Sequence, residues 1–246
     1  MSEPAPQTIS LNEIGHRYLG ALQHLSDLMV VTWAGAQSLD ADIYEKTFRS
    51  IPGLPSTSVR FPFETARTEA ALWWVKNSLN EVLGLSQVFL EDIRRVCGMV
   101  VFSTAKAKAS GDLAALAAEV NSAPGALDIT SRIKHLQSRY GVVVPLEAEI
   151  VSLTGLHRCL FQTGGSLPEG AALALQLKAI QPPAEGSSEP RFADYSHTWK
   201  SGERVSLSRE EHAAIFTSIS LFLSTTLASV QEFAKASGLA ENPPLS

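Results

Sequence analysis

The chain has 246 residues, of which 45% are hydrophobic and 18% charged, and its formal net charge is −5. This composition can fill a packed core and argues against a chain that is disordered throughout. The negative charge argues against an extended basic surface of the kind that binds nucleic acids without sequence preference, although a local basic cluster is compatible with it.

The first predicted helix begins near Ser10, where Ser10-Leu-Asn-Glu13 is a capping-box pattern. We expect this helix to run to about Thr32 or beyond. Arg17 and His24 flank its apolar stripe and are predicted to be surface residues. The stripe has the spacing of one helix face: Leu11, Ile14, Tyr18, Leu22, Leu25 and Met29.

Prolines and a glycine predict a loop over residues 50–63, and a long helix is predicted after it. An unbroken helix from Glu64 to Lys106 would be roughly 60 Å long, and Gly84 and Gly98 could bend it. A helix of this length needs partners along its whole face, from the same chain or from a second subunit. Its apolar positions alternate by three and four as in a heptad pattern: Leu72, Val75, Leu79, Val82, Ser86, Phe89, Ile93, Val96 and Val100.

Two shorter helices are predicted at about 111–121 and 128–139, the second capped by Asp128. Pro145 is typical of the first turn of a helix, and the next helix is predicted to begin there. Gly164-Gly165 is predicted to end that helix, because glycine adopts the left-handed conformation of a helix C-terminus.

Residues 166–197 are predicted to be loop-like, with room for a short helix near 169–179. A small β-hairpin is predicted around Ser201-Gly202. His197 and Trp199 lie beside it, and the sequence leaves open whether they pack in the core or line a groove.

Ser208-Arg-Glu-Glu211 is a second capping box and opens the last predicted helix. Ala213 to Val230 carries no charge, as a membrane span would. It is rich in Ser and Thr, however, and its large apolar residues repeat on one side, so we expect a buried bundle helix and no membrane contact.

Together these elements predict an all-α fold, an antiparallel helical bundle with one long helix and one small β-hairpin. We expect a single domain over residues 1–246. It would comprise an N-terminal helix region at about 1–50, a bundle at about 60–236 and a frayed tail at 237–246.

Motifs for nucleotide binding, zinc proteolysis and serine hydrolysis are absent, so the sequence predicts no cofactor and no metal. Cys97 and Cys159 lack zinc-ligand spacing and are expected to be reduced core thiols.

Glu91-Asp92 beside Arg94-Arg95 is interpreted as a solvated, self-paired surface. The N-terminal sequence has no basic region followed by an apolar run, and we therefore expect a cytoplasmic protein.

The segment Gly155-Leu-His-Arg-Cys-Leu-Phe-Gln-Thr-Gly-Gly165, preceded by Arg139-Tyr-Gly-Val-Val-Val-Pro145, resembles the signature helix of the HEPN superfamily of α-helical bundles. The order of the other elements is also similar, with a long helix before the signature and Trp199–Ser208 leading into a final helix. The resemblance covers roughly residues 60–236. It implies an α-helical fold, a homodimer with the signature helices near its interface, and RNA cleavage without a metal in active members.

Active HEPN members carry an Arg and, a few residues later, a His. The always-charged Arg binds the scissile phosphate, and the His moves the proton during attack by the ribose 2′-hydroxyl. In this chain the matching positions are His157 and Gln162. If Arg158 is taken as the family Arg instead, the following positions Thr163 to Gly165 again supply no His.

His157 falls in line with apolar positions of its helix and is interpreted as a packed, hydrogen-bonded residue rather than a catalytic one. Arg158 and Gln162 are neighbours on a different face, where they either bind a phosphate or a partner carboxylate or are ordinary surface residues. The residues predicted to bind RNA phosphate or a partner are therefore His157, Arg158 and Gln162, and no catalytic residue is assigned.

The sequence thus predicts an HEPN-like binding or regulatory protein, a homodimer with an RNA or protein partner and no DNA ligand, in an antiphage defence or toxin–antitoxin setting. One alternative is an active, metal-independent ribonuclease with a displaced active site that uses Arg158 and His157 or groups from elsewhere. A second alternative is a purely structural interaction bundle.

Overall fold

A computed structural model describes residues 10–51, 61–108, 111–122, 128–181, 183 and 191–238. Most of the predicted loop at 50–63 and most of the predicted tail at 237–246 lie outside these residues. In the described part the fold is a helical bundle with a two-stranded sheet, which confirms the predicted class. The elements are α1 Leu11–Ser38, α2 Ala41–Ser50, α3 Phe63–Ala107, α4 Leu113–Asn121, α5 Ile129–Tyr140, α6 Glu147–Thr163, β1 Ala172–Gln181, β2 Arg191–Lys200 and α7 Arg209–Ala236.

The long predicted helix is one continuous element, α3, of 45 residues. Its heptad positions from Val75 to Val100 are buried, and Leu72 at the start is half-buried. Helices α1, α4, α5, α6 and α7 of the same chain contact α3. Gly98 does not interrupt the helix: a Cβ there would lie 2.9 Å from Val120 Cγ2, so the glycine lets α4 approach closely. Because helices of the same chain cover the heptad face, it is not available to a second subunit.

Helix α7 forms much of the core, as predicted. Its start is a complete capping box, in which Ser208 Oγ accepts from Glu211 N–H and the Glu211 carboxylate accepts from Ser208 N–H. Among the described helices, α7 alone is long and apolar enough to cross a membrane, and 56% of its most apolar window is buried inside the fold. A core helix of a bundle has the same composition.

The other helix ends agree with the sequence in part. Asp128 caps α5, its carboxylate accepting from Ser131 N–H at 2.7 Å. Ser10 occupies the N-cap position of α1, but its side chain makes no capping hydrogen bond, so the predicted capping box is wrong there. Helix α6 begins two residues after Pro145, because Leu146 adopts a left-handed conformation with φ of 62°.

The region between α6 and α7 differs most from the prediction. The expected loop over 166–197 and the short helix near 169–179 are wrong: residues 172–181 form β1, which pairs antiparallel with β2. The predicted turn at Ser201-Gly202 exists, with a Gly202 φ of 84°, but it ends β2 and does not join two strands. Every second residue from 173 to 177 is a leucine, and these leucines face the bundle, which places the hairpin against α6 and α7: Leu173, Leu175 and Leu177.

Helices α6 and α7 also protect the outer edge of β1. Gln176 N–H donates to Ser152 Oγ of α6 at 3.0 Å, and Lys178 N–H donates to Ser218 Oγ of α7 at 2.7 Å. Both hydroxyls lie near the carbonyls of the same strand residues, at 3.0 Å from Gln176 O and 3.5 Å from Lys178 O. Two serines thus satisfy backbone groups that a third strand would otherwise bond.

The acidic and basic residues near the middle of α3 are self-paired as predicted, because Glu91 binds Arg94 and Arg95 of the same helix. The expectation of a solvated surface is wrong for Glu91, which is buried. Glu91 is 7% exposed and binds Arg94 and Arg132, each with a shortest N–O distance of 2.7 Å. Burial raises the pKa of Glu91, but the Arg94 hydrogen bonds and the surrounding positive charges outweigh it and leave the pKa below its ordinary value. Asp92 binds Arg17 of α1. These pairs fasten α1 and α5 to α3.

Candidate functional site

Helix α6 ends as its sequence predicts, in the glycine pair. Gly164 and Gly165 have φ values of 64° and 84°, and Gly165 N–H donates to Cys159 O at 3.3 Å. Gly165 O accepts from Val205 N–H at 2.8 Å, so the end of the helix is joined to the segment that leads into α7. The last two turns of α6 are therefore held firmly, and their side chains have defined neighbours.

His157 faces α3 from the side of α6. Its Nε2 lies 3.3 Å from Asn80 Oδ1, and its ring packs against Phe161 with a centroid distance of 4.4 Å and an interplanar angle of 31°. Burial lowers its pKa, so the neutral imidazole is favoured at neutral pH. Because an amide oxygen only accepts hydrogen bonds, Nε2 carries the hydrogen in this arrangement. The ring is thus half-buried and hydrogen-bonded.

Arg158 and Gln162 are exposed and do not join this cluster. Arg158 is near enough to Asp128, the N-cap of α5, for its charge to act on that carboxylate. The hydrogen bond from Ser131 N–H is the main cause of the lowered pKa of Asp128, and the positive charge of Arg158 contributes to it. The structure therefore separates the three residues singled out from sequence: His157 faces α3, whereas Arg158 and Gln162 lie in solvent on another side of α6.

Two exposed aromatic residues lie on this side of the bundle: Phe161 packs against His157, and Trp73 shares one face of α3 with Lys76 and Asn80. Phe161 is 50% exposed and Trp73 of α3 is 65% exposed, although residues of this size are usually buried. Lys76 Nζ lies 5.9 Å from the centre of the Phe161 ring, within the range of a cation–π contact. We call the set Trp73, Lys76, Asn80, His157 and Phe161 the α3–α6 surface. It combines exposed rings, hydrogen-bonding groups and one positive charge.

A second cluster of titratable groups lies where the hairpin meets α7. Glu211, 3% exposed, accepts hydrogen bonds from His197 Nδ1 at 2.5 Å and from Tyr195 OH at 2.7 Å. Burial raises the pKa of Glu211, but the hydrogen bonds from Ser208 N–H, His197 and Tyr195 outweigh it and leave the pKa below its ordinary value. The His197 ring stacks on Trp199 at 4.2 Å. A buried carboxylate that orients a half-exposed imidazole in this way can support proton transfer at Nε2.

Sequence reasoning placed His197 and Trp199 beside a hairpin but did not link them to Glu211. The available signal was the alternation of Tyr195, His197 and Trp199, which puts the three side chains on one face of a strand. Glu211 was recognised only as part of the capping box. Its carboxylate performs both roles, because one oxygen binds Ser208 N–H and the other binds His197 and Tyr195.

A third cluster is aromatic and buried. The His212 ring lies 5.4 Å from Trp33 and 5.2 Å from Trp74, and its Nδ1 is 3.1 Å from Ser208 O. Its Nε2 is buried without a hydrogen-bond partner among the described residues. Burial lowers the pKa of His212, so the fold favours its neutral form.

The two cysteines lie in surroundings typical of packed core residues. Cys97 is fully buried, which raises its pKa to about 12, and Cys159 is half-buried beside Thr163. Both are free thiols. Within the described ranges, no three His, Cys, Asp or Glu side chains lie close enough together to hold a metal ion.

Comparisons of the chain with protein-family models, with curated proteins and with solved structures gave no match.

Proposed function

We propose that this chain is an HEPN-like protein that binds a partner and does not cleave RNA at its signature helix. The observation that carries the proposal is the position of His157. Its Nε2 is hydrogen-bonded to Asn80, its ring packs against Phe161, and burial lowers its pKa. Gln162 occupies the position at which active relatives carry a His, and a glutamine side chain cannot exchange a proton near neutral pH.

The composition of the α3–α6 surface favours a protein partner over RNA. Trp73 and Phe161 offer the large, rigid contact areas that dominate protein interfaces. Positive charge is limited to Lys76 on this surface, because Arg158 lies on another side of α6. Binding to a phosphate backbone normally uses several such charges. The chain acts as a homodimer in this proposal, as the resemblance implies, and its setting is regulation in a defence or toxin–antitoxin system.

Co-purification with the product of a neighbouring gene tests the binding proposal. We expect the complex to be lost in Trp73→Ala and in Phe161→Ala, each lowering affinity at least about tenfold, as truncation of a central aromatic residue does. Phe61→Ala is the matched control, because Phe61 is a 64% exposed aromatic residue outside this surface. A complex that survives both changes, or one that Phe61→Ala weakens equally, would contradict the proposal.

A displaced ribonuclease site is the second candidate, and the contact between Glu211 and His197 is the observation that favours it. If the chain cleaves RNA without a metal, this pair is the best-oriented proton-transfer group among the described residues. His197→Ala would then abolish cleavage while His157→Ala would leave it unchanged. The reverse result would assign the chemistry to α6.

A further inference from the structure

The two outer edges of the hairpin differ in their protection. Gln176 and Lys178 of β1 direct their N–H groups to serine hydroxyls on α6 and α7, away from β2. In an antiparallel pair, residues that face each other direct their backbone groups the same way, either both inward or both outward. Ser196 and Asp194, their partners in the register, therefore direct their own N–H and C=O groups away from β1.

Among the described residues, nothing covers this outer edge of β2 over most of its length. Phe192, Asp194, Ser196 and Thr198 alternate along it, and all four are exposed. Within the described part of the chain, β2 has β1 as its one neighbour, and no described group bonds to the outward backbone of these four residues. Lys200 N–H, at the end, is taken by Glu203 Oε2 at 2.5 Å. The four positions include no proline or lysine, and the register contains no bulge, so these devices that block edge pairing are missing here. Asp194 is the one charged residue among the four, and its charge is paired with Lys178 of β1.

We propose that β2 pairs with β2 of a second copy of this chain, antiparallel about a two-fold axis at Ser196, to give a four-stranded sheet. The proposal names the surface of the homodimer proposed above and does not depend on the α3–α6 surface. It places the dimer contact on the hairpin and not at the signature helix α6, where the HEPN resemblance would put it. The contact is also away from the heptad face of α3, which helices of the same chain already cover.

The sequence of β2 complements itself in this register. Ser196 lies opposite the partner's Ser196, Asp194 opposite the partner's Thr198, and Phe192 opposite the partner's Lys200. No like charges are opposed, and Asp194 is diagonal to the partner's Lys200, within reach of its long side chain. A register centred on Asp194 would oppose two carboxylates, which is destabilising. The self-complementarity favours a second copy over an unrelated extended peptide.

One strand pair buries less than the roughly 1,200 to 2,000 Å² of a stable interface. We therefore expect a reversible dimer whose population rises with protein concentration. Sedimentation of the full chain over about 1 to 500 µM would measure it, since an interface of this size is weak. A chain that stays monomeric over this range would overturn the proposal.

Ser196→Pro removes an outward N–H while leaving the bonds to β1 intact, and we expect it to weaken the dimer at least about tenfold. Ser196→Glu keeps the N–H but opposes two carboxylates, so it gives the same loss without a backbone change. Ser196→Ala is the control and should dimerise like the parent chain. If both Ser196→Pro and Ser196→Glu, checked for helical content by circular dichroism, dimerise as tightly as Ser196→Ala, the proposal is wrong.

Disulfide trapping tests the register in a Cys159→Ser background. Ser196→Cys places two thiols at the axis, where paired strands hold Cα atoms at about 5.5 Å, within disulfide range. Gln176→Cys is the matched control on the same face of β1, and its partner would be roughly 14 Å away across three strand spacings. We expect oxidised dimer from Ser196→Cys and none from Gln176→Cys. Equal trapping at both positions, or none at Ser196→Cys, would contradict the pairing. Binding through the α3–α6 surface is measured separately, so the two proposals can fail independently.

Discussion

Glu211 accepts a hydrogen bond from His197 Nδ1 at 2.5 Å, and this contact fastens strand β2 to the first turn of α7. The same carboxylate completes the capping box through Ser208 N–H and binds Tyr195 OH. One buried residue therefore joins the hairpin to the core helix and also begins that helix.

Glu211→Gln is expected to lower the free energy of unfolding by about 2 to 4 kcal/mol, because a buried acceptor of several hydrogen bonds becomes neutral and places an amide donor among donors. Urea denaturation at pH 7 measures the change. Glu210→Gln is the control, since Glu210 is its exposed neighbour, and it should cost less than about 0.5 kcal/mol. Equal losses in the two variants would contradict the role assigned to Glu211.

Acid is expected to destabilise the fold through His212. Burial lowers its pKa in the folded state, whereas in the unfolded chain it titrates near its ordinary value of about 6.5. The unfolded state therefore binds the proton first, and stability falls by up to about 1.4 kcal/mol per pH unit below about pH 6.5, until the lowered folded pKa is reached. His157, whose pKa is also lowered, adds a smaller loss in the same direction.

Denaturation midpoints at pH 7.5 and pH 5.5 test this pH dependence. His212→Phe should flatten it, because the aromatic ring keeps the contacts to Trp33 and Trp74 without binding a proton. His24→Gln changes an exposed histidine and should leave the parent slope unchanged. A parent slope that persists in His212→Phe would show that other groups carry the acid sensitivity.

Arg132→Met is expected to destabilise the chain by about 3 to 5 kcal/mol, because removing one partner of a buried ion pair leaves the Glu91 charge poorly compensated. Thermal or urea unfolding gives the value. Arg95→Met is the comparison: Arg95 also approaches Glu91, at 3.5 Å, but its side chain is 43% exposed, and its loss should cost less than about 1 kcal/mol. If Arg95→Met lowers the free energy of unfolding as much as Arg132→Met, burial does not determine how much these ion pairs contribute to stability.

Ser218→Ala should loosen the hairpin more than it destabilises the whole chain. The change removes the acceptor of Lys178 N–H and is expected to cost about 1 to 2 kcal/mol. The measurement is amide hydrogen exchange, in which the Lys178 amide should exchange roughly five- to thirtyfold faster. Ser224→Ala, an exposed site on the same helix, should leave that rate unchanged. An unchanged exchange rate of the Lys178 amide in Ser218→Ala would show that Ser218 does not protect the edge of β1.

The long helices could be predicted from the sequence because their buried faces repeat at the helical period. Val75 to Val100 on α3 and the apolar face of α7 carry this signal over many turns. A small hairpin was predicted, but at the wrong position, because residues 172–180 are rich in types that also favour helices and their alternation is short. These residues form a strand because Leu175 and Leu177 pack against α6 and α7. This packing cannot be recognised from the local sequence.

The polar clusters could not be predicted for a related reason. Asp92 binds Arg17, 75 residues away, and Glu91 binds Arg132, 41 residues away, so a local reading could see only charges paired with their neighbours. The end of α6 at the glycine pair and the half-burial of His157 could be predicted, because both follow from the sequence of α6 alone. The partners of His157 could not be predicted, because they lie on α3. Asn80 is 77 residues away from His157 in the sequence.

Metal-independent RNA cleavage is the decisive measurement for the proposal that α6 binds a partner without cleaving RNA. The parent chain and a double variant, His157→Ala with Arg158→Ala, are compared on single-stranded RNA in the presence of a chelator. Binding without catalysis predicts that both cleave no faster than buffer alone, because His157 is engaged by Asn80 and Gln162 cannot exchange a proton near neutral pH. Cleavage by the parent chain that the double variant abolishes would contradict the account.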